Sequence, residues 1–185
     1  GHTMLLHLRM SGSLHLVSAS ITRDKQEHVV FSFEDGRQLR FHDTRKFGRL
    51  HLLKDPKKIL DRLGPEPLAA GFTAKTLTKI LKDRKRSLKP LLLDQTAIAG
   101  LGNIYADEAL WESKLHPCRL AASLSTTEIK VLHRYIRRVL KRGLNNLGTT
   151  LGTGKGNFYS VANRRGRNKD VLKVFRRTDL PCPRC

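Results

Sequence analysis

Asn103 follows a Gly100-Leu101-Gly102 corner between two apolar helical patterns, an arrangement suited to gripping a phosphate. Glycine lets backbone come close to a ligand. The first N–H groups of the following helix lack intrahelical partners and lie at the positive end of its dipole. Asn103 adds a side-chain donor there. A bare glycine turn also reads as an ordinary αα-corner. Cys182-Pro183-Arg184-Cys185 is half of a zinc site, because structural zinc takes four ligands, commonly as two such pairs. By residue type alone His7 is a strand histidine, Met10 and Phe47 are core residues, and Arg45 is a surface turn residue.

The chain has 185 residues, with 36 Lys+Arg against 16 Asp+Glu, a formal net charge of +20. The excess runs along the whole chain, so a basic tail does not account for it. Nucleic acid is the partner such a charge suits first. No apolar stretch approaches the roughly 18 residues that span a bilayer, so no membrane partner is expected. Three cysteines (Cys118, Cys182, Cys185) make no disulfide scaffold, and no signal peptide is visible, which points to the cytoplasm. Cys118 reads as a buried thiol.

The elements that must position these residues divide in two. Residues 4–10, 13–17, 28–33, 38–41 and 47–53 carry strand patterns, and Asp35-Gly36 predicts a two-residue hairpin. Leu63-Gly64-Pro65-Glu66-Pro67-Leu68 punctuates the change to helix. Thr73 can cap a helix reaching about Arg86, with Leu77, Ile80 and Leu81 inward. Ser125 and Glu128 form a capping box ahead of Ile129, Leu132, Ile136, Val139 and Leu140. Lys130, Arg134, Arg137, Arg138 and Lys141 fall on the opposite face, as a solvated surface or as phosphate contacts. The glycine-rich run 148–156 lacks the GxxxxGK[ST] spacing of a phosphate loop and is not read as one.

The string KPLLLDQTAIAGLGNIYADEALWESKLHP (89–117) resembles the helix-two-turn-helix of the formamidopyrimidine-DNA glycosylase and endonuclease VIII family. LGPEPL, HLRMSGS and DTRKFG resemble further motifs of that family. The resemblance implies an α+β fold: a partial antiparallel β-sandwich (1–68), a helical helix-two-turn-helix DNA-binding domain (69–160), and a truncated zinc-finger hairpin (161–185). It implies that His7 and Asn103 contact backbone phosphates. It implies that Met10, Arg45 and Phe47 fill the space left by an extruded nucleotide and meet the opposite base. Having all three favours the branch that removes oxidised purines, 8-oxoguanine and formamidopyrimidines. Lys155 and Tyr159 fall where the family folds a loop over the lesion, although 155–159 departs from the better-known pattern. Cys182 and Cys185 would be zinc ligands in the intact protein, while this chain alone is expected not to hold the metal.

Family members attack the sugar with the α-amine of an N-terminal proline, assisted by the next glutamate. That segment is not in this sequence, so no catalytic residue is expected here. The resemblance thus implies a glycosylase and abasic-site lyase of base excision repair, with the 185 residues binding damaged duplex DNA and performing no excision. A bacterial, cytoplasmic, nucleoid-associated monomer is expected. The rival reading is a non-enzymatic DNA-binding module such as a helix-turn-helix regulator, and an RNA binder ranks third.

Overall fold

The computed structural model describes residues 1–152, 159–162 and 164–184. It forms two compact units, one comprising 1–56 and 143–170, the other 57–142 and 171–185. These differ from the three contiguous segments expected from the sequence. Residues 143–170 group with the sheets, where the Leu16 N–H donates to the Val161 carbonyl at 3.0 Å. Residues 171–185 group with the helices, where the buried Glu108 carboxylate accepts the N–H groups of Lys173, Val174 and Phe175 at 2.8–3.1 Å.

The first unit holds two antiparallel sheets. β1 (Thr3–His7) pairs with β5 (Arg49–Leu53), and β2 (Gly12–Ser18), β4 (Arg37–Asp43) and β3 (Glu27–Ser32) form the other, with β4 central. The central strand buries residues 40–43 in a row, so both of its faces are covered at that end, unlike the alternation of a strand covered on one side. The β3–β4 connection is a three-residue loop, one longer than expected. Gly36 N–H closes a turn on the Phe33 carbonyl at 3.2 Å, and Phe33 N–H pairs with the Arg37 carbonyl at 2.9 Å. Gly36 at φ +79 takes the left-handed position that such a loop reserves for glycine.

The second unit has a leucine-rich helical core. α1 (Lys57–Leu60), α2 (Ala74–Leu81), α3 (Leu88–Leu92) and α4 (Asn103–Glu112) precede α5 (Thr126–Asn145), whose last residues belong to the first unit. Leu77, Leu88, Leu92, Ile98, Leu101, Leu132 and Ile136 have no exposed surface. Thr73 caps α2 by accepting the Thr76 N–H at 3.1 Å, as its type predicts. That helix stops at Leu81, short of Arg86, since no apolar residue beyond Leu81 falls on its inner face before Leu88. On α5, Arg134 and Arg138 flank the Tyr135 ring, whereas Arg137 turns inward to the carbonyls of Pro67 and Ala69.

The capping box forms as expected. The Arg119 guanidinium, then the N–H and hydroxyl of Ser125, hold the Glu128 carboxyl down from the ordinary 4.5 to about 2. Hydrogen bonds from the Thr96 hydroxyl and Arg86 likewise hold Asp94 at about 2. Depressed carboxylates stabilise the fold above their unfolded pKa and lose that stabilisation as pH falls through the folded value. The melting temperature should therefore drop between pH 4.5 and 2, and Glu128→Gln should flatten that acid limb. Leu92→Ala should cost about 2–5 kcal/mol in urea unfolding, the usual size for emptying a closed leucine site.

Candidate nucleic-acid interface

Two loops in the first unit leave the sheet at one point. Gly12 pairs with Asp43 at the end of the β2–β4 ladder, and both strands depart there. One loop, residues 8–12, closes with the Gly12 N–H on the Leu8 carbonyl at 2.9 Å and turns through Arg9 at φ 55. Met10 stands at its apex with 79 % of its surface exposed. The other loop, residues 44–48, turns through Lys46 at φ 56 and leaves Phe47 57 % exposed. Arg45 lies over the Phe47 ring, its Cζ 5.3 Å from the centroid.

Sequence reading missed the residue that joins the loops. The Asp43 carboxylate has no exposed surface. It accepts the Ser11 hydroxyl at 2.5 Å, the Arg45 N–H at 3.2 Å and the Gly48 N–H at 2.7 Å. Burial raises its pKa, but the Ser11 hydroxyl and the N–H groups of Gly48, Arg45 and Phe47 outweigh it, and the net shift is downward. The available signal was the DTRKFG string itself. An Asp two residues ahead of a turn N–H is the Asx-turn pattern.

His7 ends β1 and is exposed, its Nδ1 accepting the Arg9 N–H at 3.0 Å. Met10 and Tyr159 line one cleft of about 470 Å³, together with Leu14, Ser160 and Val161. His7, Met10, Arg45, Phe47 and Tyr159 therefore belong to one unit. Lys155 lies outside the described residues.

Asn103 belongs to the second unit and opens α4. Gly102 occupies the cap position with no side-chain cap, so the first N–H groups of α4 face an exposed edge at Gly102-Asn103. The corner is tied together by one side chain. Gln95 Oε1 accepts the Gly100 N–H at 2.8 Å, while its Nε2 donates to the Leu93 and Leu101 carbonyls at 3.1 Å. The LGPEPL stretch braces it from behind. Gly64 N–H donates to the Gln95 carbonyl at 2.9 Å, and any Cβ on Gly64 would sit 2.5 Å from the Ala97 carbonyl.

Cys182 is exposed and Cys185 lies outside the described residues. Among the described residues no group of three or more His, Cys, Asp or Glu could hold a metal ion. Cys118, expected to be buried, is exposed. It follows Pro117 in the turn after α4, where its N–H donates to His116 Nδ1 at 3.2 Å. Among the described residues no helix is long and apolar enough to cross a membrane.

Two family models match. Residues 63–155 fit the formamidopyrimidine-DNA glycosylase H2TH domain, and residues 1–50 fit the N-terminal domain of the same family. Formamidopyrimidine-DNA glycosylases from Roseiflexus sp. and Protochlamydia amoebophila are 48 % and 47 % identical. These alignments cover 100 % and 98 % of this chain and 67 % and 66 % of those proteins, so the chain spans about two thirds of its relatives' length. The MutM (Fpg) protein from Thermus thermophilus superposes with a TM-score of 0.89 at 38 % identity, over all of this chain and 68 % of that one. A Lactococcus lactis Fpg solved with abasic-site DNA superposes at 0.88 and 33 % identity, over all of this chain and 67 % of that one.

Gly100 sits at φ +80, a conformation costing an L-residue about 1–2 kcal/mol. Gly100→Ala should lower unfolding free energy by that amount in urea titration.

Proposed function

The chain belongs to the formamidopyrimidine-DNA glycosylase family, and from that premise we propose that the whole protein is a base-excision glycosylase and abasic-site lyase for oxidised purines. These 185 residues supply much of its duplex grip and its void-filling side chains. The observation that carries this reading is the exposure of Met10 and Phe47, 79 % and 57 %, on loops fixed to one buried carboxylate in a chain of net charge +20. Large apolar side chains held rigidly in water are a liability unless a partner covers them. An unstacked base step is such a partner.

The chemistry follows from costs. Extruding a nucleotide loses a few kcal/mol of stacking and pairing. A methionine and a phenylalanine entering the gap recover apolar contact and keep the neighbouring pairs apart. The Arg45 guanidinium offers donors to the acceptors of the stranded cytosine. His7 and the open end of α4 at Asn103 hold backbone phosphates, which fixes register without reading sequence. Tyr159 and Lys155 belong to the segment that meets the extruded base. Cys182 and Cys185 supply two of four zinc ligands in the whole protein, and the other two come from beyond these residues. The protein acts as a monomer on DNA in the bacterial cytoplasm.

Cleavage is tested with an 8-oxoguanine duplex and borohydride. The whole protein should form a trapped covalent adduct, whereas the 185-residue chain by itself should bind without being trapped. In titrations of both duplexes, this chain should prefer abasic to intact DNA. Met10→Ala or Phe47→Ala should each remove part of that preference and spare most non-specific affinity. Equal affinity of the parent chain for the two duplexes would instead favour a regulator reading base sequence.

A further inference from the structure

We propose that Asp43 is a positioning residue, locking the Met10 loop and the Arg45–Phe47 loop into one fixed arrangement as a single wedge. The inference rests on the void-filling roles proposed above and adds what holds those side chains in place.

Met10 and Phe47 are mostly exposed, so their own packing does little to locate them. Their backbones must do it. Each loop carries a non-glycine residue in the left-handed region, Arg9 and Lys46 at φ 55 and 56, and so needs an external anchor. Asp43 supplies that anchor to both. Oδ1 takes the Ser11 hydroxyl, next to Met10, and the Arg45 N–H; Oδ2 takes the Gly48 N–H, next to Phe47. The anchor is itself immobile. Its own N–H donates to the Gln26 carbonyl at 2.9 Å, and its carbonyl oxygen lies 2.9 Å from His28 Nε2. Gly48 reaches the carboxylate only because it lacks a side chain, since a Cβ there would sit 2.3 Å from Phe41 Cζ and 3.1 Å from Asp43 Oδ2. A buried carboxylate that lost one of these donors would seek another, shifting the loop it released.

The removable half of the anchor is Ser11, whose hydroxyl ties the Met10 loop to Asp43. The measurement is the ratio of dissociation constants for intact duplex and for duplex bearing a tetrahydrofuran abasic analogue, taken on the whole protein. Ser11→Ala should lower that ratio by about tenfold, the size of one hydrogen bond to a charged group, with intact-duplex affinity unchanged. In a Met10→Ala background, Ser11→Ala should lower it no further, because the side chain it positions is gone. Asp43→Asn keeps the shape but not the charge and should lower the ratio too. Should Asp43→Asn fail to fold, Ser11→Ala decides alone. An unchanged ratio in Ser11→Ala, beside a Met10→Ala that does lose discrimination, overturns the positioning role and leaves the wedge standing. Additive losses in the double variant overturn it as well. A Met10→Ala that keeps full discrimination removes the wedge and the anchor together.

Discussion

A carboxylate shut away from water must gather donors or give up its charge. Asp43 gathers them from two loops that are more than thirty residues apart in sequence, from Ser11 on one side and from Arg45 and Gly48 on the other. The constraint works in both directions. The charge is tolerable because the loops come to it, and the loops gain from it a shared anchor beyond their own turn closures. The exposed side chains at their tips inherit a definite place from a group that touches neither. Loops carry function best when the scaffold beneath them is rigid, and here β4 ends at the anchoring residue.

The second unit meets a similar requirement with apolar packing. A helix end offers its N–H groups to an anion only if the turn ahead of it does not fold over them. The corner before α4 stays open because Gln95 satisfies its backbone from inside, closing on Leu93, Leu101 and Gly100 together. Behind it Ile98 and Leu101 are fully buried among the leucines of the core. Packing at this density leaves little freedom, so an exposed polar edge is presented by an unyielding interior. A phosphate bound there, as proposed, would meet donors whose ordering cost was met during folding.

Much of this was legible in the residues. Period-2 patterns marked the strands, Thr73 and the Ser125–Glu128 pair marked helix starts, and the glycine corner with Asn103 marked the α4 end. What escaped has a common physical cause. Asp43 and Glu108 are acidic residues that one expects on the surface, and nothing local reveals that the Ser11 hydroxyl will reach Asp43 or that the N–H groups of residues 173–175 will surround Glu108. Grouping of 143–170 with the sheets is likewise non-local, since it rests on pairings such as Leu16 with Val161. Arg137 resembles its neighbours on α5 but lies nearer the core edge, and it turns to carbonyls instead of solvent. Cys118 shows the converse: cysteine is usually buried, yet a turn bounded by Pro117 exposes it.

The same two loops explain why type alone misassigns Met10 and Phe47. Both would ordinarily be core, and burying either would gain about 1.5–3 kcal/mol. The fold forgoes that gain at two positions tied to one anchor, while Phe41, on the strand leading to them, is buried. Other apolar residues, such as Leu52 and Leu144, are exposed too, so exposure by itself does not single these two out; the anchoring of their loops does. Here the backbones are pinned by a charged hydrogen-bond hub, and Arg45 is held over the Phe47 ring. Cation and apolar surface presented side by side match a partner with both negative charge and flat apolar faces, and an opened duplex has both. On the proposed reading, the energy withheld from folding becomes available when the opened duplex is bound.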